Sequence, residues 1–135
     1  MERVQGIGGV FFAASEDREA LLAWYRDVLG VPMASWGGHA FKWADQHSAG
    51  DATTTFSVFA PDTTYFQPGG ARFMINFRVS DLDAMLAQAR AAGAQVMDAI
   101  EESEFGRFGW VVDPEGHKVE LWEPPPGGEP DDSEG

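Results

Sequence analysis

The chain has 135 residues, 44% of them hydrophobic, and contains no cysteine. That length suits one domain or two small modules sharing a core, and the missing thiols exclude disulfides, thiolate metal sites and a cysteine nucleophile. The net charge is −13, from 22 acidic and 9 basic side chains, which makes phosphate backbones and anionic membranes poor partners.

The N-terminus Met1-Glu2-Arg3-Val4-Gln5-Gly6 has no signal-peptide pattern, and no long uncharged apolar run follows it. A soluble, cytoplasmic protein is the expectation. The first strand-like run is Gly9–Ala14. A helix follows over Asp17–Leu29, where Leu21, Trp24, Tyr25 and Val28 repeat at i, i+3, i+4, i+7 and Gly30 and Pro32 stop it. Strand candidates then lie at Ala40–Trp43 and Thr53–Phe59, separated by a longer polar loop. A linker occupies about Pro61–Gly70.

The pattern then recurs. Phe73–Val79 reads as a strand, and Leu82, Met85, Leu86 and Ala89 mark a helix over Asp81–Ala92 that Gly93 ends. Ser80 with Asp83 resembles a capping box. Phe108–Val112 and His117–Trp122 read as a hairpin, because Asp113-Pro114-Glu115-Gly116 has the residues a type I turn prefers. The helix-opening Asp17 and Asp81 stand 64 residues apart, and Ser57 and Glu120 stand 63 apart. The expected class is therefore α+β. Two βαβββ modules, 1–60 and 70–124, are joined by a linker over 61–69 and followed by a disordered acidic tail over 125–135. They form a curved mixed sheet with an open cleft and the helices outside.

Ala23-Trp-Tyr-Arg-Asp-Val-Leu-Gly30, Val79-Ser-Asp-Leu-Asp83 and the run from Gly106 through Asp113-Pro-Glu-Gly116 to Glu120-Leu-Trp-Glu-Pro124 resemble the vicinal oxygen chelate superfamily. That superfamily includes glyoxalase I, bleomycin-resistance proteins and extradiol dioxygenases. The likeness covers about residues 6–124. It implies four cleft-facing positions where the metal enzymes hold ligands: Val10 and Met74 on the first strands, Ser57 and Glu120 on the last. Only Glu120 is a usual ligand, and Val and Met cannot replace imidazole. The resemblance thus implies the fold without a metal or other cofactor. His39, His47 and His117 are read as structural or surface residues. His117 and Glu120 are three apart on one strand and point to opposite faces.

Strand alternation sends Phe73, Ile75, Phe77, Val79, Val119 and Leu121 to the helix side, with Phe11 and Ala13. The cleft then receives Val10, Phe12, Ala14, Thr55, Ser57, Phe59, Met74, Asn76, Arg78, Phe108, Trp110, Glu120 and Trp122. Of these, Phe12, Ser57, Phe59, Met74, Asn76, Arg78, Phe108, Trp110 and Trp122 are the candidate ligand contacts. Glu120 is the candidate acid or base if any reaction occurs; its competing role is an ion pair with Arg78. Arg107 either reaches the cleft mouth or neutralises the acidic run Glu101-Glu-Ser-Glu104.

The leading expectation is a glyoxalase/bleomycin-resistance-like protein that binds a small, partly aromatic or apolar molecule in the cleft without a catalytic metal. One alternative is a glyoxalase-type metal-dependent lyase, isomerase or dioxygenase. The other is a structural or regulatory dimer whose cleft is filled by its own side chains. A homodimer is expected because open sheet edges invite pairing. Gly6-Ile-Gly-Gly9 precedes a strand, so it is no phosphate loop, and no Gly-x-Ser-x-Gly elbow occurs.

Overall fold

The computed structural model describes residues 1–29, 31–43 and 52–126, without the side chains of Trp24 and Leu29. Gly30, residues 44–51 of the polar loop with His47, and residues 127–135 of the acidic tail, all singled out above, lie outside the described residues. The elements run β1 (Gly6–Ala13), α1 (Arg18–Leu29), β2 (Gly38–Lys42), β3 (Thr53–Phe59), β4 (Phe73–Arg78), α2 (Leu82–Ala91), β5 (Gln95–Val96), β6 (Glu101–Ser103), β7 (Gly106–Val112) and β8 (Lys118–Glu123).

Both helices start where a carboxylate can hold an otherwise unpaired backbone N–H. Asp17 Oδ1 accepts from Ala20 N at 3.0 Å, and Asp81 Oδ1 accepts from Ala84 N at 3.0 Å. The expected Ser80 box does not form: Asp81 is the cap, and the Ser80 hydroxyl donates to Glu2. Helix α2 buries Leu82, Met85 and Leu86 against Val79 and Leu121. Helix α1 buries Leu22 against Ala14 and Val58, and Tyr25 packs edge-on to Phe56 at 5.1 Å. Burying each large apolar side chain contributes about 1.5–3 kcal/mol, which anchors both helices to one side of the sheet.

The strands form one mixed sheet in the order β2-β3-β1-β4-β8-β7-β5, with β6 paired to β7. Each half repeats one motif. Its first strand runs parallel to its last, β1 with β3 and β4 with β8, and an antiparallel strand flanks the last, β2 or β7. The antiparallel pair β1–β4 joins the halves. The first half shows three strands among the described residues, where four were expected. The second adds the short β5 and β6, too brief and polar to leave a period-2 signal. The Asp113–Gly116 turn closes as expected, Gly116 N donating to Asp113 O at 3.0 Å with Gly116 at φ 90°.

One expectation fails across a whole strand. Phe12 and Ala14 pack on the α1 side with Val58, while Phe11 and Ala13 lie in the opposite cluster with Met74 and Trp110. Val10 pairs with Ile75, Phe11 with Met74. Phe12 is therefore not a cleft residue, nor are Val10 and Ala14. The cause is loop length. Residues 14–17 connect β1 to α1, but only 79–81 connect β4 to α2. Counting back from the helix caps misplaces β1 by one residue, and a one-residue slip exchanges the two faces of a strand. The backbone confirms the true equivalence: Ala14 N donates to Phe59 O and Val79 N to Trp122 O, each at 2.9 Å. The structural counterpart of Met74 is Gly9, and that of Asn76 is Phe11.

Candidate functional site

On the concave face, register pairs place Ala40, Thr55, Gly9, Asn76, Glu120 and Trp110 in one row across six strands. The two sides of this row, along the strands, differ in bulk, and the site follows from that difference.

On the side toward Ala13, Met74 and Lys118 a carboxylate is caged. Glu120 is 2% exposed. Its Oε2 accepts from the Tyr65 hydroxyl at 2.6 Å and from Trp110 Nε1 at 2.9 Å, while Oε1 accepts from Asn76 Nδ2 at 2.7 Å. Burial pushes the Glu120 carboxyl above its usual range, against the opposing effect of those three donors and the Lys118 charge. Lys118, 8% exposed, lies on the same face of β8 two residues away. Its ammonium sits 4.8 Å from the Tyr65 ring centroid and 5.0 Å from that of Trp110, and it donates to Tyr65 O. Burial lowers its pKa and Glu120 opposes that shift. The Tyr65 phenol is pushed up, first by burial and then by the neighbouring carboxylate.

Tyr65 and Phe66 come from the linker, for which the sequence reading assigned no role. Phe66 is buried with Phe11, Ala13, Met74 and Trp110, and Phe59 stacks on Tyr65 at 5.6 Å. This half of the concave face is thus filled by the chain itself. Phe59, Met74 and Trp110 are on the concave side as expected, but they serve this packing; Ser57, buried on β3, does not line the cavity. Arg78 does not pair with Glu120. It donates to Gln5 Oε1 and lies 6.0 Å from the Trp43 ring.

On the side of the row toward Gly8, Thr53 and Trp122 the face is open. A cavity of about 370 Å³ forms where side chains are small or absent: Gly8, Ala40, Thr53 and Thr55. Phe11 walls one side. Phe108 and Trp122, stacked within 10° of parallel at 6.3 Å, wall the other. Trp36 and Phe105 line it while remaining 41% and 51% exposed. Trp122 is held by its Nε1, which donates to Phe105 O at 2.7 Å. Asn76 forms the boundary between cage and cavity. It is 2% exposed, and its Oδ1 is buried without a hydrogen-bond partner. A Cβ at Gly8 would lie 2.1 Å from that oxygen, so only glycine leaves room for it.

Asn76, Phe108 and Trp122 from the sequence list therefore line the cavity; Phe11, Trp36, Phe105 and Gly8 were missed. Lys118 shares its strand parity with Glu120 and Trp122, so period 2 alone could have placed it on this face. The signal for Tyr65 was an aromatic pair inside an otherwise polar linker. Arg107 stays at the surface, with Asp83 Oδ1 and Oδ2 at 3.0 and 3.1 Å and Glu102 Oε1 at 3.0 Å. Asp113 holds His117 Nδ1 at 2.9 Å outside the cavity, and His39 packs edge-on to Phe41 at 4.7 Å.

The donor set does not suit a divalent ion. With Gly9 in place of Val10, the four positions implied by the resemblance hold Gly9, Ser57, Met74 and Glu120. Both Glu120 oxygens are already engaged by donors. No group of three or more His, Asp or Glu side chains that could hold a metal occurs among the described residues. No helix among them is long and apolar enough to cross a membrane.

The fold has many solved counterparts. Methylmalonyl-CoA epimerase from Mycobacterium tuberculosis superposes with a TM-score of 0.64 at 23% identity, covering 92% of this chain and 91% of that one. A methylmalonyl-CoA epimerase in complex with methylmalonyl-CoA gives 0.68 at 17% identity, covering 95% and 100%. A Mn(II)-bound glyoxalase from Novosphingobium aromaticivorans gives 0.56 at 17% identity, covering 99% of this chain and 43% of that one. At these identities the likeness concerns the fold. In sequence, the uncharacterized protein Mb0911c of Mycobacterium bovis is 42% identical over 57 residues, which is 42% of this chain and 38% of that protein. The match thus spans well under half of that relative. The model of the glyoxalase-like domain matches residues 10–122, and the chain belongs to that family.

Proposed function

We propose that this glyoxalase-like protein binds a small, apolar or partly aromatic molecule in the cavity between Gly8, Thr55 and Trp122, without a catalytic metal. The supporting observation is a cavity of about 370 Å³ whose described lining is aromatic and small and carries no charged side chain. Ligand sites have that make-up, with a few polar groups fixing orientation. An anionic ligand such as the methylmalonyl-CoA bound by the structural neighbour finds no cation in the described lining. Glu120 does not line the cavity, because Asn76 stands between them, so a role as acid or base toward a bound molecule is disfavoured. The self-filled cleft considered above applies to one half of the concave face only. The same reading includes modules at 1–60 and 70–124, a cytoplasmic location, and a homodimer formed through the open edges at β2 and β5.

The test is a fragment screen followed by amide chemical shifts. Shifts clustering on Gly8, Phe108 and Trp122, and abolished by a cavity-filling Thr55→Phe, support the proposal. Shifts scattered elsewhere overturn it. Elemental analysis of protein purified without chelator tests the metal-free part. Near-stoichiometric metal lost on Glu120→Gln would restore the metalloenzyme.

A further inference from the structure

We propose that the cavity selects neutral, flat molecules that donate one hydrogen bond, and that Asn76 Oδ1 is the acceptor. This rests on the cavity being a ligand site, and it adds the chemistry of the ligand. An asparagine side chain can present either a donor or an acceptor, depending on which way its amide faces. Here the choice is made behind the cavity wall. Glu120 Oε1 receives Asn76 Nδ2 at 2.7 Å, while its other oxygen receives Tyr65 and Trp110, so the carboxyl faces Asn76 as an acceptor. Turning the amide over would set two acceptors against each other. Glu120 is itself held by Tyr65 and Trp110, so it acts as a positioning residue for Asn76.

The consequence is an oxygen turned toward Gly8, buried and without a partner. A buried acceptor in that state destabilises the protein by its full desolvation cost, and a ligand O–H or N–H that reaches it recovers that cost. The walls supply shape. Phe108 and Trp122 present a flat stacked surface facing the Phe11 side, which fits one or two fused rings. Charge supplies exclusion, because no side chain of the described lining would neutralise an ion. Phenolic compounds, and N–H heteroaromatics of the same size, are the class that meets all three conditions.

The experiment compares three probes of one shape by amide-shift titration of the full chain: 2-naphthol, 2-fluoronaphthalene and 2-naphthoate. Fluorine is close to hydroxyl in size but cannot donate. We expect 2-naphthol to bind about tenfold more tightly than 2-fluoronaphthalene, and 2-naphthoate to bind more weakly than either. Asn76→Leu should bring the two neutral probes to within about twofold of each other. Glu120→Gln, which lets the amide face either way, should shrink the preference without removing binding. Equal affinities of the neutral probes for the native protein overturn this inference while leaving the cavity a binding site. Tighter binding of 2-naphthoate overturns the neutral-ligand part. Failure of all three probes to shift Gly8 or Trp122 overturns both this inference and the proposed function. The wild-type comparison decides the matter even if Asn76→Leu does not fold.

Discussion

The concave face is divided along its strands into two halves of opposite contents. In the half toward Ala13, Phe59, Met74 and Lys118, side chains of both repeats rise from the sheet around Trp110 and Glu120, and the linker residues Tyr65 and Phe66 close over them. In the half toward Gly8, Thr53 and Trp122, the first repeat contributes the small Gly8, Ala40, Thr53 and Thr55, the second contributes Asn76, Phe108 and Trp122, and a cavity is left between them. Both halves draw on both repeats, so a repeated unit does not oblige a repeated site. One half is packed by the chain itself, and the other is left open.

That contrast can be broken by substitution. The largest effect should come from Trp110→Ala, which removes a buried ring and one donor of Glu120. It should lower stability by about 3–5 kcal/mol in urea titrations. A loss below ~1 kcal/mol would mean the filled half is not the stabilising one. Tyr65→Phe keeps the ring and removes only the hydroxyl that donates to Glu120. A loss of about 1–3 kcal/mol is expected, with the cavity shifts of a bound probe unchanged. Gly8→Ala tests the boundary, since its Cβ would press on Asn76 Oδ1. It should cost about 1–3 kcal/mol and weaken ligand binding as well.

Acidification sharpens the comparison from the Glu120 side. Burial holds the folded pKa of this carboxyl above its unfolded value, so the native state favours its proton. Its charge penalises folding in full above the folded pKa. The penalty shrinks as pH falls through that pKa and is gone below the unfolded value near ~4.3. Relative to Glu120→Gln, which does not titrate, the wild type should gain stability as pH is lowered from neutrality. Urea midpoints of the two proteins at neutral and mildly acidic pH measure it, and a relative loss would mean the cage favours the ionised form. The smallest effect belongs to the open half. Phe105→Ala should leave stability within about 0.5 kcal/mol yet weaken binding of an aromatic probe.

Much of the architecture was legible because its signals are local. The apolar stripes of α1 and α2, the Asp113–Gly116 turn and the alternation along β4 and β8 each depend on neighbours in sequence. What failed depended on phase or on distance. The extra residue in the loop at 14–17 moved Phe12 to the α1 side and put Phe11 in the cavity, and nothing in the alternation of β1 itself reveals which face is inward. Glu120 was visible as a buried carboxylate candidate, but Tyr65 was not visible as its partner, because a linker is not expected to return to a sheet. Trp36 and Phe105 sit in or beside turns, where periodicity has nothing to say.

The return of that linker also orders events during folding. Tyr65 meets its carboxylate partner 55 residues further along the chain, and Lys118 reaches back 53 residues to the Tyr65 carbonyl. Contacts over such separations carry a loop-closure cost and form slowly. On a growing chain, Tyr65 and Phe66 emerge well before β7 and β8, the strands they cover. Until those strands pair, the two rings remain exposed, and such surfaces invite contact between incomplete chains. The cover over the filled half is therefore among the last parts of the molecule to settle, although its residues are made before half of the sheet.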